Sequence, residues 1–188
     1  MKLELDNENW EEVYNGYGEV RFDFNSILLK PDSAASASET HAALVKSEYE
    51  LKDFTLELTA ITKKQLRAGS EPNPWEVFWI FFNYIPTDDG KKQTNYFLLK
   101  PNGYELGRAS DELEQVFLAT GTDMQLEIGE EYIYKIYKSG NHIEININGI
   151  EIINGDYDLY NVYGSIGLYC EDAEVEVSSV DIESVNLS

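Results

Sequence analysis

The chain has 188 residues, 43% of them hydrophobic, so it can form one domain with a sizeable core and is too apolar for a disordered protein. Its 35 acidic residues against 14 lysines and arginines give a formal net charge of −21. Such a charge repels phosphate backbones, which argues against nucleic acid as a partner, and most of it is expected to form a solvated surface. No apolar run reaches the roughly 18 residues of a membrane span, and the single cysteine excludes an internal disulfide.

The first third of the sequence alternates apolar and polar residues in short runs, which predicts β-strands. Residues 20–24 alternate apolar with charged side chains, and residues 41–48 and 53–67 predict two further strands. Between them, residues 32–39 are small and polar and predict a loop.

The stretch WEVFWIFFNY, residues 75–84, carries the strongest pattern in the chain. It predicts a strand with apolar or aromatic side chains on both faces, with Trp75, Trp79 and Asn83 on one face and Glu76 on the other. A polar turn and a second strand, TNYFLLK, follow. Because only one face of such a strand can enter the core between two sheets, we expect the other face to line a cleft.

The second half of the chain continues the strand pattern. Residues 111–121 have modest helical character, although QVFLAT fits a short strand as well. Beyond them, turns such as Asn148-Gly149 and Asn154-Gly155 separate alternating runs. Ten to thirteen short strands, with at most one or two helical turns, predict an all-β sandwich of two antiparallel sheets in a single domain over residues 1–188.

The C-terminal half also resembles a known superfamily. The runs GNHIEININGIEI, GSIGLY and AEVEVSSVDI are similar to the closing strands of concanavalin A-like lectin/glucanase domains, most of all to the 3-keto-disaccharide hydrolase-like and laminarinase-like domains of unknown function. The resemblance implies a jelly-roll whose concave face accommodates glycans, and an extracellular or periplasmic location. The acidic N-terminus has no apolar segment typical of a signal peptide. No E-x-D-x-E motif, the catalytic pattern of the laminarinase branch, occurs on any predicted strand.

Carbohydrate binding is the first functional prediction. The candidate residues are aromatic side chains that can stack on a pyranose ring and polar or charged side chains that can hydrogen-bond to its hydroxyl groups. They are Trp75, Trp79, Tyr96, Asn83, Gln65, Lys100 and Arg67. The alternative is that the aromatic members are simply core residues.

Catalysis on a glycan is the second hypothesis. Glycoside hydrolysis needs two carboxyl groups about 5–10 Å apart. Glu76, between Trp75 and Trp79, is the strongest candidate for the acid, because apolar surroundings raise the pKa of a carboxyl group. His41 or a carboxylate such as Glu105 would be its partner. The alternatives are that Glu76 lies exposed or paired with a lysine, and that His41 is structural.

A polysaccharide lyase would use His41 with Tyr96 and a cation that neutralises a uronate, for which the sequence offers Arg67, Lys100 and Arg108. A third hypothesis is a structural or adhesive domain whose concave face meets protein.

Binding of a glycan requires no cofactor in this scheme. The acidic composition and the resemblance imply a structural Ca²⁺ that joins the first and last strands. Its ligands would be Asp181 and backbone carbonyls near Asn15–Gly18, which are the hard oxygen donors that Ca²⁺ prefers.

Overall fold

The structure is a computed structural model that describes residues 1–86, 92–111 and 115–185. Over these residues the chain forms fourteen strands and no helix, and its strands pair in antiparallel fashion into two seven-stranded sheets. In spatial order the first sheet consists of β1 (Trp10–Tyr14), β4 (Ala42–Leu51), β13 (Gly164–Glu171), β6 (Phe78–Pro86), β7 (Lys92–Lys100), β8 (Gly103–Ser110) and β9 (Val116–Gly121). The second consists of β12 (Ile150–Asp156), β11 (His142–Ile147), β10 (Glu131–Ser139), β5 (Phe54–Gln65), β14 (Ala173–Ser184), β3 (Ile27–Lys30) and β2 (Glu19–Phe22). The two-sheet antiparallel jelly-roll sandwich expected from the sequence is confirmed.

The core lies between the sheets and follows from the alternation of each strand. On β5, Phe54, Leu56 and Leu58 are fully buried, whereas the intervening Glu57 is exposed. Aromatic rings join the two layers, because Phe78 of the first sheet packs edge-on against Tyr134 of the second, with ring centroids 5.6 Å apart. This burial of apolar surface is the main stabilising contribution to the sandwich.

The first sheet is also apolar on its outer face, the face turned away from the core. On β6, Phe78 and Ile80 enter the core, while Trp79 and Phe81 lie on the outer face with Tyr169 of β13. The rings of Phe81 and Tyr169 stack with centroids 4.5 Å apart. The outer face therefore carries an aromatic layer of its own, as the two-sided pattern of residues 75–84 predicts.

The two ends of this strand differ from the sequence-based assignment of faces. Before Phe78 the chain turns, with the Val77 amide donating to the Trp75 carbonyl (2.9 Å). After Phe82 a bulge places Asn83 at φ 51° and turns Tyr84 to the outer face. Local turns and bulges reset the two-residue period, so the assigned faces are wrong outside the central residues.

The remaining sequence predictions concern single features. Val116–Gly121 form a strand, and residues 112–114 of the possible helical stretch lie outside the described residues. A membrane-spanning helix is absent from the described part of the chain. Cys170 is fully buried with its thiol donating to the Ala173 carbonyl (3.3 Å), and burial raises its pKa far above the ordinary value.

Candidate functional site

A single row of directly paired residues crosses the outer face of the first sheet from β8 to β1. Residues that are paired in register on neighbouring antiparallel strands share a face. The row runs Glu105, Leu98, Trp79, Tyr169, Leu44, Tyr14. Six adjacent strands at about 4.8 Å spacing give it a length of about 24 Å.

A cleft of about 240 Å³ opens at the β8 end of this row. Three aromatic and four polar or charged side chains line it: Trp75, Trp79, Phe117, Lys100, Glu105, Gln115 and Glu171. We refer to it as the Trp75 cleft. Trp75 is 45% exposed and Phe117 is 62% exposed, whereas Trp79 is 7% exposed and forms the floor. The Trp79 indole donates to the Trp75 carbonyl (2.8 Å), which fixes both residues relative to each other.

The polar groups on the β8 side of the cleft form one hydrogen-bonded network. The Tyr96 and Trp79 rings pack with centroids 5.1 Å apart. The Tyr96 hydroxyl donates to Glu105 Oε2 (2.9 Å), and Gln115 Nε2 donates to the same hydroxyl (2.7 Å). Lys100 donates to Glu105 Oε1 (3.2 Å). Gly107 makes room for this arrangement, since a Cβ there would lie 2.3 Å from the Tyr96 hydroxyl oxygen. Glu105 is therefore held in one orientation by Tyr96 and Lys100 of β7 and by Gln115, the residue before β9.

Glu171 contributes a second carboxyl group from the opposite side of the cleft. It accepts a hydrogen bond from the Tyr169 hydroxyl (2.7 Å). Burial raises its pKa, and the nearby carboxylates of Asp172 and Glu76 raise it further, against the opposing effects of the Tyr169 hydrogen bond and the Arg67 charge. The two carboxyl groups of the cleft thus have different surroundings, since Glu105 contacts an ammonium group and Glu171 does not.

Glu76, the sequence-predicted acid, lies outside the cleft. It is fully buried, and Oε1 accepts hydrogen bonds from Arg67 (2.6 Å) and Asn73 (2.8 Å). Arg67 also donates to Asp172 (2.8 Å), which completes a buried ion-pair cluster. The sequence analysis expected apolar surroundings for Glu76, but the Arg67 guanidinium group contacts its carboxylate. Because the two charges are buried together away from the cleft, their placement favours a structural role for both residues. A buried carboxylate without such a partner would carry a large desolvation cost.

Three other sequence-predicted residues are also engaged away from the cleft. His41 contacts the Asp32 carbonyl (2.8 Å) and the Glu39 carboxylate (3.0 Å). Gln65 donates to the Asn73 carbonyl (3.1 Å). The Asn83 amide donates to the three backbone carbonyls of Leu51, Lys52 and Val162.

Of the residues named from the sequence, Trp75, Trp79, Lys100 and Glu105 line the cleft, and Tyr96 supports it through its hydrogen bond to Glu105. Sequence reasoning missed Phe117, Gln115 and Glu171 as lining residues. For Phe117 there was a partial signal, because QVFLAT fits a short strand that carries an aromatic side chain. Gln115 and Glu171 become neighbours of the cleft only through strand pairing.

The residues proposed for Ca²⁺ have other partners in the structure, and the calcium stays a prediction. Asp181 accepts a hydrogen bond from the Met1 amino group (2.7 Å) and pairs in register with Glu57 on β5. The turn at Asn15–Gly18 packs instead against Pro31 and Ala42. Within residues 1–86, 92–111 and 115–185, no three His, Cys, Asp or Glu side chains are grouped so that they could hold a metal ion.

A different depression, of about 350 Å³, lies between the two ends of the described chain and is lined by Met1, Leu3, Tyr49, Leu51, Ile182, Glu183 and Ser184. Its lining is mainly aliphatic. Sugar sites combine aromatic faces with converging polar groups, so the Trp75 cleft is the better candidate.

No family model matches the sequence, and no curated protein matches it. Solved structures do match over nearly the whole chain. Carbohydrate binding module CBM66 from Bacillus subtilis is 16% identical, with a TM-score of 0.71 over 94% of this chain and 96% of that one. A prokaryotic beta-1,3-1,4-glucanase (lichenase) from a mouse hindgut metagenome is 13% identical, with a TM-score of 0.64 over 98% and 99%.

The VIP36 exoplasmic/lumenal domain, in its Ca²⁺/Man3GlcNAc-bound form, is 9% identical, with a TM-score of 0.62 over 100% of this chain and 88% of that one. At such identities the likeness establishes the fold, which is concanavalin A-like. The narrower resemblance to 3-keto-disaccharide hydrolase-like domains stays a prediction.

Proposed function

We propose that this protein binds a glycan in the Trp75 cleft. The observation that carries the proposal is the combination of two exposed aromatic rings, Trp75 and Phe117, with a polar network centred on Glu105 in the same cleft. Aromatic rings stack on the C–H faces of sugars, while carboxylate, amide and ammonium groups bond to their hydroxyls. Similar folds occur in a carbohydrate binding module and in the VIP36 exoplasmic/lumenal domain in its Man3GlcNAc-bound form, which supports the same use here.

The charges of the cleft favour a neutral glycan over a polyanionic one. Among the described lining residues Lys100 is the single cation, and Glu105 compensates its charge at 3.2 Å. Glu171 adds a further carboxyl group. The other two cations considered as partners of a uronate also form ion pairs within the protein. Arg108 pairs with Asp158 (3.0 Å), and Arg67 pairs with Glu76 and Asp172. A uronate or sulfate would therefore approach an acidic cleft on a chain of net charge −21.

Hydrolysis is the second candidate, because two carboxyl groups with different surroundings face one cleft. The strand register disfavours it. In the row of paired residues, Tyr169 lies three strand spacings from Glu105. Glu171 lies two residues after Tyr169 on the same strand. At about 4.8 Å per strand and about 3.3 Å per residue, the Cα atoms of Glu105 and Glu171 are about 16 Å apart. Extended side chains cannot close this gap to the about 5–5.5 Å of a retaining pair, and the about 6.5–9.5 Å of an inverting pair is the only spacing within their reach. We therefore place binding before catalysis.

A glycan microarray that carries neutral, uronate-containing and sulfated glycans tests the proposal. We expect binding to at least one neutral glycan and none to the anionic ones. Titration in solution can follow tryptophan fluorescence, because two of the three tryptophans belong to the cleft and Trp10 is buried at 1% exposure. The Trp10→Phe variant removes the background signal. Absence of binding to every glycan would refute the proposal and leave the protein-binding hypothesis.

The same ligands distinguish binding from hydrolysis. Release of reducing ends is measured with the wild type and with Glu105→Gln and Glu171→Gln. Binding without release in the wild type supports a binding module. Release that either substitution abolishes supports the hydrolase.

A further inference from the structure

We propose that the glycan site extends across the sheet to a second sugar-binding position around Tyr17. This inference rests on the proposed function. The position is a depression of about 420 Å³ beside β1 and β4, hereafter the Tyr17 depression. Its lining includes an exposed aromatic ring, a half-buried one, an imidazole, an amide and a carboxylate: Tyr17, Tyr14, His41, Asn15 and Glu12.

The Tyr17 depression adjoins the Trp75 cleft on the outer face of the first sheet. Glu171 of β13 lines the cleft, and its register partner on β4, Ala42, lines the depression. The row that begins at Glu105 ends at Tyr14, which lines the depression. Between the two ends the row is buried, with Leu98 and Leu44 at 0% exposure and Trp79 and Tyr169 at 7% and 9%, so it forms a packed layer between the two positions.

Tyr17 presents a ring that no packing requirement explains. It is 87% exposed and has a φ of 63°, a left-handed backbone conformation that is strained for a residue with a Cβ. The flanking glycines tighten the turn, since a Cβ on Gly18 would lie 2.1 Å from the Lys30 carbonyl oxygen. The ring lies edge-on to His41, with centroids 5.5 Å apart, and hydrogen bonding to the Asp32 carbonyl fixes that histidine. The fold therefore holds a flat, solvent-facing aromatic surface in place.

The distance between the far ends of the two positions favours a chain of sugars as the ligand over a single sugar. The row spans about 24 Å from Glu105 to Tyr14, at about 4.8 Å per strand. A single sugar covers only a small part of this span. An oligosaccharide that lies across the strands can stack on Trp75 and Phe117 at one end and on Tyr17 at the other. The Glu12 and Glu39 carboxylates at the Tyr17 end again favour a neutral chain.

A length series tests the extension. The probes are β-1,3-1,4-linked gluco-oligosaccharides and mannose oligosaccharides, each from the disaccharide to the hexasaccharide, titrated by calorimetry and by tryptophan fluorescence. We expect Kd to fall about tenfold between disaccharide and hexasaccharide, which is the contribution of one further stacked aromatic ring. Tyr17→Ala is expected to remove this gain and to leave disaccharide binding unchanged. Tyr17→Phe keeps the ring and is expected to keep most of the gain.

The outcomes separate this inference from the proposed function. A Kd that does not change with length, or a gain that survives in Tyr17→Ala, overturns the extension and leaves a short site at Trp75. Failure of both series to bind overturns the extension as well. If the microarray also shows no glycan ligand, the proposed function itself is refuted.

Discussion

Replacing Trp75 with alanine removes the exposed indole of the Trp75 cleft with little effect on the fold. The contacts of Trp75 that organise the turn are made by its backbone carbonyl, which accepts from the Trp79 indole (2.8 Å) and from the Val77 amide (2.9 Å). Alanine keeps that carbonyl. Because the side chain is 45% exposed, its loss leaves no sealed cavity in the core.

The expected loss of affinity follows from the area that the indole offers to a ligand. A tryptophan presents up to about 250 Å², so an exposed fraction of 45% leaves about 110 Å² in solvent. A sugar that covers half of it buries about 55 Å², worth about 1.4 kcal/mol at about 25 cal/mol/Å², or about tenfold in Kd. We therefore expect Trp75→Ala to weaken glycan binding about tenfold, and more if the ligand covers both edges of the ring.

Calorimetric titration measures this change without depending on the fluorescence of the removed tryptophan. Phe24→Ala is the matched control, because Phe24 is also an exposed aromatic residue (71%) and lies between β2 and β3 of the second sheet. Circular dichroism and urea unfolding verify that both variants remain folded. A folded Trp75→Ala variant that binds within twofold of the wild type would refute the stacking argument, as would an equal loss in Phe24→Ala.

Three further outcomes are expected. Gly107→Ala places a Cβ 2.3 Å from the Tyr96 hydroxyl oxygen, so we expect a stability loss of about 1–3 kcal/mol in urea unfolding together with weaker glycan binding. Glu76→Gln leaves the buried Arg67 short of a counterion, so we expect a loss of about 3 kcal/mol with an unchanged Kd. The pKa of Glu171 is raised on folding above its ordinary value of 4.5, so its ionisation destabilises the fold as pH rises through the interval between the two values. Glu171→Gln is therefore expected to raise the melting temperature relative to the wild type at pH 7, with a smaller difference at pH 4.

Each of these predictions has a control substitution or a result that would contradict it. Gly155→Ala is the control for Gly107→Ala, because a Cβ on Gly155 would lie an ordinary 3.4 Å from its nearest neighbour, the Tyr157 ring. Glu57→Gln is the control for Glu76→Gln, since Glu57 is exposed and its ion-pair partner Lys135 lies 4.0 Å away. A Glu76→Gln variant that is stable but inactive on a glycan would restore the catalytic hypothesis for that residue. A pH-independent effect of Glu171→Gln would contradict the raised pKa.

The sandwich could be predicted from the sequence because strand alternation is a local property. Phe54, Leu56 and Leu58 need only their own spacing to show which face is buried. The same reasoning failed at Glu76 and Asn83, where a turn and a bulge shift the period. Both features depend on contacts with other strands, which spacing along one strand does not contain.

The cleft could be predicted only in part for a related reason. Trp75 and Trp79 lie within the most strongly patterned stretch of the sequence, so the sequence alone could predict that they line a cleft. Glu105, Phe117 and Glu171 come from three other strands and meet the cleft through register. Pairing partners far apart in the chain cannot be read from local periodicity. The buried cluster of Arg67 with two carboxylates was hidden for the same reason.

The sequestered thiol of Cys170 has a practical consequence for studying this protein. Its sulfur is enclosed and its thiol donates a hydrogen bond to the Ala173 carbonyl, so the native chain offers maleimide reagents no accessible thiol. A cysteine placed at Tyr17 or at Phe117 then becomes the only point of attachment for a dye. Fluorophores at these two places, one at a time, can report separately whether each end of the aromatic surface is occupied.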